Sequence, residues 1–186
     1  MTGIFTKHYD NNQVLNKVHL TIQKGQRISI RGASGIGKTT LLRLITGLET
    51  NEDTSPNDFK GLTYSFVFQE DRLIESYNAV QNIKLCAPQV QDTVIIQTLK
   101  EAGIEDTNQK VRHFSGGMKR RVAILRALFA SYDILLLDEP FKGLDDNNLH
   151  KIANIINRLT VDKTLILVTH DHKDEELLNI TDHIEL

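Results

Sequence analysis

Apolar positions recur along this chain with two periods that take turns. Val18, Leu20 and Ile22 alternate with polar neighbours over residues 14–22, Lys24-Gly25 follows as a turn, and Ile28 and Ile30 alternate again as far as Gly32. Alternation of this kind predicts strands. Leu41, Leu44, Ile45 and Leu48 then fall at helical spacing, with Gly47 where a C-terminal glycine stop belongs. A polar tract from Glu49 to Lys60 reads as an exposed loop, and Leu62 to Phe68 as a further strand that ends on Gln69.

Residues 70–110 change character. Val80 and Ile83, then Val94, Ile95, Leu99 and Ala102, keep helical period on either side of Pro88, which predicts a small helical subdomain. Ser115 is a suitable N-cap for a helix over 115–129 with Met118, Val122, Leu125 and Phe129 on one face. Residues 133–140, DILLLDEP, form a continuous apolar run closing on two carboxylates, the pattern of a central parallel strand buried on both faces. Gly143-Leu144-Asp145 makes a turn; Leu149, Ile152, Ile156 and Leu159 form a helix stripe; a last strand, TLILVT, runs into His170. The order of elements predicts an α/β protein with a mostly parallel central sheet flanked by helices.

Composition narrows this picture only slightly. A chain of 186 residues with 40% hydrophobic content suits one domain spanning 1–186. A net charge of −2 gives no electrostatic reason to expect nucleic acid or an anionic membrane as partner. Cys86 is the single cysteine, which excludes an internal disulfide and fits a reducing compartment. The first ten residues lack the apolar core of a signal peptide, and no apolar run is long enough to cross a bilayer. The expectation is a cytoplasmic chain that could serve a membrane only through a partner.

The chemistry begins at the first helix. Gly32, Ala33, Ser34, Gly35, Ile36, Gly37, Lys38 and Thr39 fit the phosphate-loop spacing G-x-x-x-x-G-K-[ST], with Thr40 following, and the strand before and helix after supply the required context. Glycines let backbone N–H groups close on phosphate oxygens, Lys38 reaches the β- and γ-phosphates, and the Thr39 hydroxyl holds Mg²⁺. Asp138 and Glu139 close a buried strand where open α/β sheets bind ligands, so Asp138 is the candidate for Mg²⁺ and Glu139 for polarising the attacking water. Lys119, Arg120, Arg121 and Arg126 form a basic helix side that reads as solvated surface or a contact with an acidic neighbour. Gly116 and Gly117 weaken a helix start, which makes sense where backbone approaches something closely. Tyr9 taken alone reads as a surface aromatic.

In that order, the phosphate loop, Gln69, Ser115-Gly116-Gly117, Leu137-Asp138-Glu139-Pro140, Gly143-Leu144-Asp145 and His170 resemble the ATP-binding subunit of an ABC transporter over nearly the whole chain. The resemblance implies a P-loop NTPase fold with core 1–69 and 111–186, a helical subdomain of about 70–110 extending into the signature helix 115–129, and an antiparallel β-subdomain shortened between Leu48 and Leu62. It implies ATP and Mg²⁺ as ligands, with Tyr9 stacking on adenine and Gln69 contacting Mg²⁺ and the lytic water. Ser115, Gly116 and Gly117 would meet the γ-phosphate held by an opposite protomer. Glu139 would be the general base, Asp145 a residue of the loop crossing the dimer interface, and His170 the γ-phosphate switch. Lys38 keeps its phosphate contact.

The implied assembly is a head-to-tail homodimer, or a heterodimer with another ATPase subunit, on transmembrane permease subunits at the inner face of the membrane. A substrate-binding protein is a possible further partner, and nucleic acid is not one. The segment Val67 to Ile83 and the SGGMKRR and DEPFKGLD motifs are similar to nitrate, sulfonate, taurine and thiamine-precursor importers, which favours import over export. The alternatives are an exporter ATPase or a nucleotide-switched assembly protein. Phe114 and Met118 stand where leucine and glutamine are common in the signature, and the short stretch after His170 argues against a regulatory extension.

Overall fold

The computed structural model describes residues 1–10 and 12–186. Its strands are β1 (Thr2–Tyr9), β2 (Asn12–Thr21), β3 (Arg27–Arg31), β4 (Tyr64–Val67), β5 (Ile134–Asp138), β6 (Thr164–Val168) and β7 (Asp182–Glu185). Its helices are α1 (Lys38–Ile45), α2 (Ala79–Lys84), α3 (Asp92–Glu101), α4 (Gly116–Phe129), α5 (Asp146–Leu159) and α6 (His172–Leu177). β4, β5, β6, β3 and β7 lie side by side in that order as one parallel sheet, while β1 and β2 form a separate antiparallel pair.

The two-residue period sorts the strands between two cores. Leu135, Leu137, Leu165 and Leu167 point to one face of the sheet and pack with Ile83, Leu99, Leu125 and Ile156. Ile134, Leu136, Ile166 and Val168 point to the other and pack with Leu41, Leu42, Phe5 and Leu20. All ten residues of β5 and β6 are buried, as a central parallel strand requires. Because the strands are parallel, the segments that follow β3, β4, β5 and β6 all emerge at one end of the sheet.

Several features differ from the expectation. β1, α6 and β7 carried no clear periodic signal; β1 is interrupted by irregular register between Phe5 and Lys7 and between Lys7 and His8, which disturbs alternation. The polar tract 49–60 is not a free loop, because it satisfies the outer edge of β1. Asn51 accepts from Thr6 N at 3.0 Å and donates to Ile4 O at 2.7 Å, and Asp58 accepts from Thr2 N at 2.9 Å, so side-chain amide and carboxylate groups stand in for a third strand. Phe59 is fully buried against Phe5. The shortened antiparallel subdomain is thus a two-stranded sheet with a docked loop. Leu48 and Val94 keep helical spacing but stand outside the core, 60% and 46% exposed, Leu48 just beyond the end of α1 and Val94 in the first turn of α3.

Candidate active site

The phosphate loop joins β3 to α1. Gly32, Gly35 and Gly37 have φ of 138°, 80° and 115°, a region that L side chains rarely enter. At Gly37 space adds to the constraint, since a Cβ would lie 2.9 Å from Val14 Cγ1 and 3.3 Å from Val14 O. Lys38, the first residue of α1, is 6% exposed, and its ammonium donates to Gly32 O and Ala33 O at 2.8 Å each, across the mouth of the loop. The neighbouring Thr39 Oγ1 donates to Asp138 Oδ2 at 2.8 Å.

Asp138 ends β5 and is 1% exposed. Among the described residues its other oxygen, Oδ1, meets no hydrogen-bond partner. Burial pushes its carboxyl pKa up, reinforced by the adjacent Glu139 charge and opposed by the Thr39 bond, the nearby Gln69 side chain and the Arg120 charge. A buried carboxylate oxygen left unpaired beside a threonine hydroxyl and a phosphate loop is a donor set suited to a hard divalent cation such as Mg²⁺.

Glu139 is the first residue beyond the strand, and its φ of 47° turns the chain away from the sheet. Its N–H donates to Val168 O at 2.8 Å. Its carboxylate lies 3.5 Å from His170 Nε2 and 3.0 Å from Lys142 Nζ. Ser34, Gly35, Gly37, Lys38, Thr39, Gln69, Glu139 and His170 line one small pocket of about 90 Å³ at the carboxyl end of the sheet. Four separate segments thus converge on it.

Other expected site residues lie elsewhere. Tyr9 ends β1, 40% exposed, with Lys7 Nζ 5.2 Å from its ring centroid. Ser115 caps α4, accepting from Met118 N at 3.2 Å, and Asp145 caps α5, accepting from Asn148 N at 3.0 Å. Gly116 has nothing within 4 Å of where a Cβ would stand, so packing within the chain does not demand glycine there. None of Tyr9, Ser115, Gly116, Gly117 and Asp145 lines the phosphate-loop pocket.

The basic side of α4 departs from the sequence reading. Arg120 and Arg121 are 4% and 6% exposed, buried because their guanidinium groups satisfy backbone carbonyls that helix and strand ends leave open. Arg121 donates to Gly117 O at 3.1 Å, to Ala102 O, and to Asn148 Oδ1 at 2.8 Å. Arg126 donates to Asp71 O and Arg72 O at 3.0 and 2.7 Å, and only Lys119 behaves as a surface cation, paired with Glu75 at 2.7 Å. The helical period held a hint, since Arg120 and Arg121 stand four residues before the fully buried Ile124 and Leu125.

A family model described as ABC transporter matches residues 15–142. The chain belongs to the ABC transporter family. It is similar to the aliphatic sulfonates import ATP-binding protein SsuB 2 of Pseudomonas syringae pv. tomato, 37% identical over 96% of this chain and 77% of that protein. The corresponding SsuB protein of Bacillus licheniformis is 38% identical over 90% of this chain and 70% of its own length. The dimeric ATP-binding cassette MJ0796, solved in a post-hydrolysis state with ADP and Pi, superposes with a TM-score of 0.80 at 28% identity, over 98% of this chain and 91% of that one.

The chain is therefore an ABC transporter ATP-binding subunit and an ATP hydrolase. As an ABC ATPase subunit it binds ATP, and the glycine loop with the N-terminal end of α1 is an arrangement suited to phosphate groups. Among the described residues no helix is long and apolar enough to cross a membrane.

Proposed function

We propose that this subunit drives import through separate transmembrane permease subunits, by closing a head-to-tail dimer around ATP at the inner face of the cell membrane. The observation that carries this reading is the split between the two halves of the site. The phosphate loop, Gln69, Glu139 and His170 share one pocket, whereas the start of α4 stands apart with Gly116 open to approach. A second copy turned head to tail can bring that helix start to the γ-phosphate, where its N–H groups and dipole favour negative charge. The dimeric form of the related cassette supports the same assembly, and the relatives named as sulfonate importers support the direction of transport.

Within one site, Lys38 exchanges its carbonyl partners for the β- and γ-phosphate oxygens. Thr39, Gln69 and Asp138 are the residues that would hold Mg²⁺, which supplies charge neutralisation at those phosphates. Glu139 accepts a proton from the attacking water, and Gln69 and His170 fix that water and the γ-phosphate on either side. Tyr9 offers its ring to the adenine. Asp145, at the start of α5, lies on the loop that meets the partner protomer.

Light scattering coupled to size exclusion on Glu139→Gln tests the assembly, with Mg-ATP, with Mg-ADP and without nucleotide. Dimer with Mg-ATP alone is the expected result. A monomer throughout, with ATP demonstrably bound, would overturn dimer closure as the property of this chain. Co-purification with a multi-spanning membrane protein is expected for the native complex, and a soluble partner in its place would overturn the transport reading.

A further inference from the structure

Arg120 lies in the second turn of α4, directly behind the signature glycines, with its guanidinium at the junction of two loops. Nε donates to Pro140 O at 2.9 Å, and Nη2 donates to Asp138 O and Glu139 O at 2.8 Å each. Nη1 donates to Phe68 O and, at 3.3 Å, to Gln69 O, with Asp71 Oδ1 at 3.4 Å. A guanidinium has five N–H donors in a planar fork, and here the fork is filled almost wholly by backbone. One group of acceptors follows β4 and includes the carbonyl of Gln69. The other follows β5 and includes those of Asp138 and Glu139. A buried cation thus grips the backbone of three residues in the hydrolytic site without touching any of their functional side-chain atoms.

The arrangement depends on an uncommon backbone. Successive carbonyls along a strand point to opposite sides, yet those of Asp138, Glu139 and Pro140 converge on one guanidinium because Glu139 has φ of 47°. A left-handed conformation is unfavourable for a side-chain-bearing residue, and charge-assisted hydrogen bonds to a buried cation offset that cost. The backbone turn at Glu139 decides where its carboxylate points. We infer that Arg120 is a positioning residue for ATP hydrolysis: its fork holds Glu139 and Gln69 in fixed relation to each other and ties both to the signature helix. This rests on the reading of Glu139 as the base. It adds a mechanical link between the start of α4, which would feel a partner's phosphate, and the carboxylate that handles the water.

The test compares Arg120→Lys, which keeps the charge but loses the planar fork, with Arg120→Gln, which keeps a short planar donor without charge. Hydrolysis of Mg-ATP is measured per binding-competent molecule, counted with a fluorescent ATP analogue, alongside thermal unfolding. Both variants should lose about 10- to 100-fold in kcat, the scale of a misplacement near 1 Å, with KM for Mg-ATP within about threefold of wild type. In single-turnover assays on the Glu139→Gln background, adding Arg120→Lys should cost less than about twofold more, because the group it positions is already gone.

A kcat within about twofold of wild type, or an effect that multiplies undiminished onto Glu139→Gln, would overturn the inference. Failure of both variants to unfold cooperatively would overturn it too, by making Arg120 a folding pin. If Glu139→Gln itself turns over at the wild-type rate, the assignment of the base fails first and this inference falls with it. An inactive Glu139→Gln together with fully active Arg120 variants removes this inference alone.

Discussion

Asp138→Asn should make the nucleotide-free protein more stable and the enzyme useless. The wild-type carboxylate is 1% exposed, one oxygen takes the Thr39 hydroxyl at 2.8 Å, and the other has no partner. An unsatisfied buried polar group costs about 1–3 kcal/mol, more when charged. Asparagine keeps the acceptor for Thr39 and replaces a charged orphan by a neutral one, so the expected gain is about 1 kcal/mol without nucleotide. The pH dependence has a defined sign. Burial raises the folded carboxyl pKa above 3.8, so the native state holds its proton more tightly than the unfolded chain. The cost therefore appears as pH rises through that raised value and is fully present at neutral pH.

Mg-ATP should reverse the order. At a ligand concentration of 100 times Kd the wild type gains about 2.7 kcal/mol, whereas a variant without the carboxylate proposed to hold Mg²⁺ is expected to gain much less. Urea unfolding with EDTA, and again with saturating Mg-ATP, gives both halves. A variant less stable than wild type by more than about 0.5 kcal/mol in EDTA would refute the reasoning, because the orphaned oxygen would then not be a burden on the fold.

Three other outcomes follow from the geometry. Gly35→Ala, at φ 80° with open space, should cost about 1 kcal/mol in urea unfolding, while Gly37→Ala, at φ 115° against Val14, should cost about 3 kcal/mol or more and weaken ATP binding; the reverse order would contradict the account of the loop. Ser115→Arg should leave ATP affinity of the monomer unchanged and abolish turnover, checked by fluorescent-nucleotide titration beside steady-state hydrolysis; loss of monomer binding would place the signature in the wrong protomer. Glu175, held down to about 2 by Arg31 first and by Ser29 and His172 after it, stabilises the fold above the ordinary carboxylate value of 4.5 and loses that contribution as pH falls towards 2. Arg31→Met should accordingly lower stability by about 1–2 kcal/mol at pH 7, with the gap to wild type narrowing below the ordinary carboxylate value and closing only as pH approaches about 2 in acid unfolding curves.

Much of the site was legible because its parts are local. The phosphate loop is a spacing of glycines, Lys38 and Thr39 inside a strand–loop–helix unit, and Asp138 and Glu139 stand at the end of an apolar run. Gln69 and His170 each lie two residues beyond a strand, and they reach the same pocket because β4 and β6 flank β5 in the sheet. The arginines of α4 depart from the sequence expectation, since helical period predicts which face is apolar but says nothing of backbone carbonyls waiting 18 to 55 residues away.

The chain's own pattern determined the alternation of strands and helices, the burial of both faces of β5, the glycine loop and the Ser115 cap of α4, all of which rest on contacts between near neighbours or on repeat periods. Tertiary structure alone decided that β1 survives as a strand by borrowing Asn51 and Asp58 along its edge, that β7 joins the sheet beside β3, and that one buried guanidinium clasps the ends of β4 and β5. The reason is common to all three. Every residue carries the same backbone donors and acceptors, so which distant group satisfies them leaves no mark in the sequence until folding brings the two together.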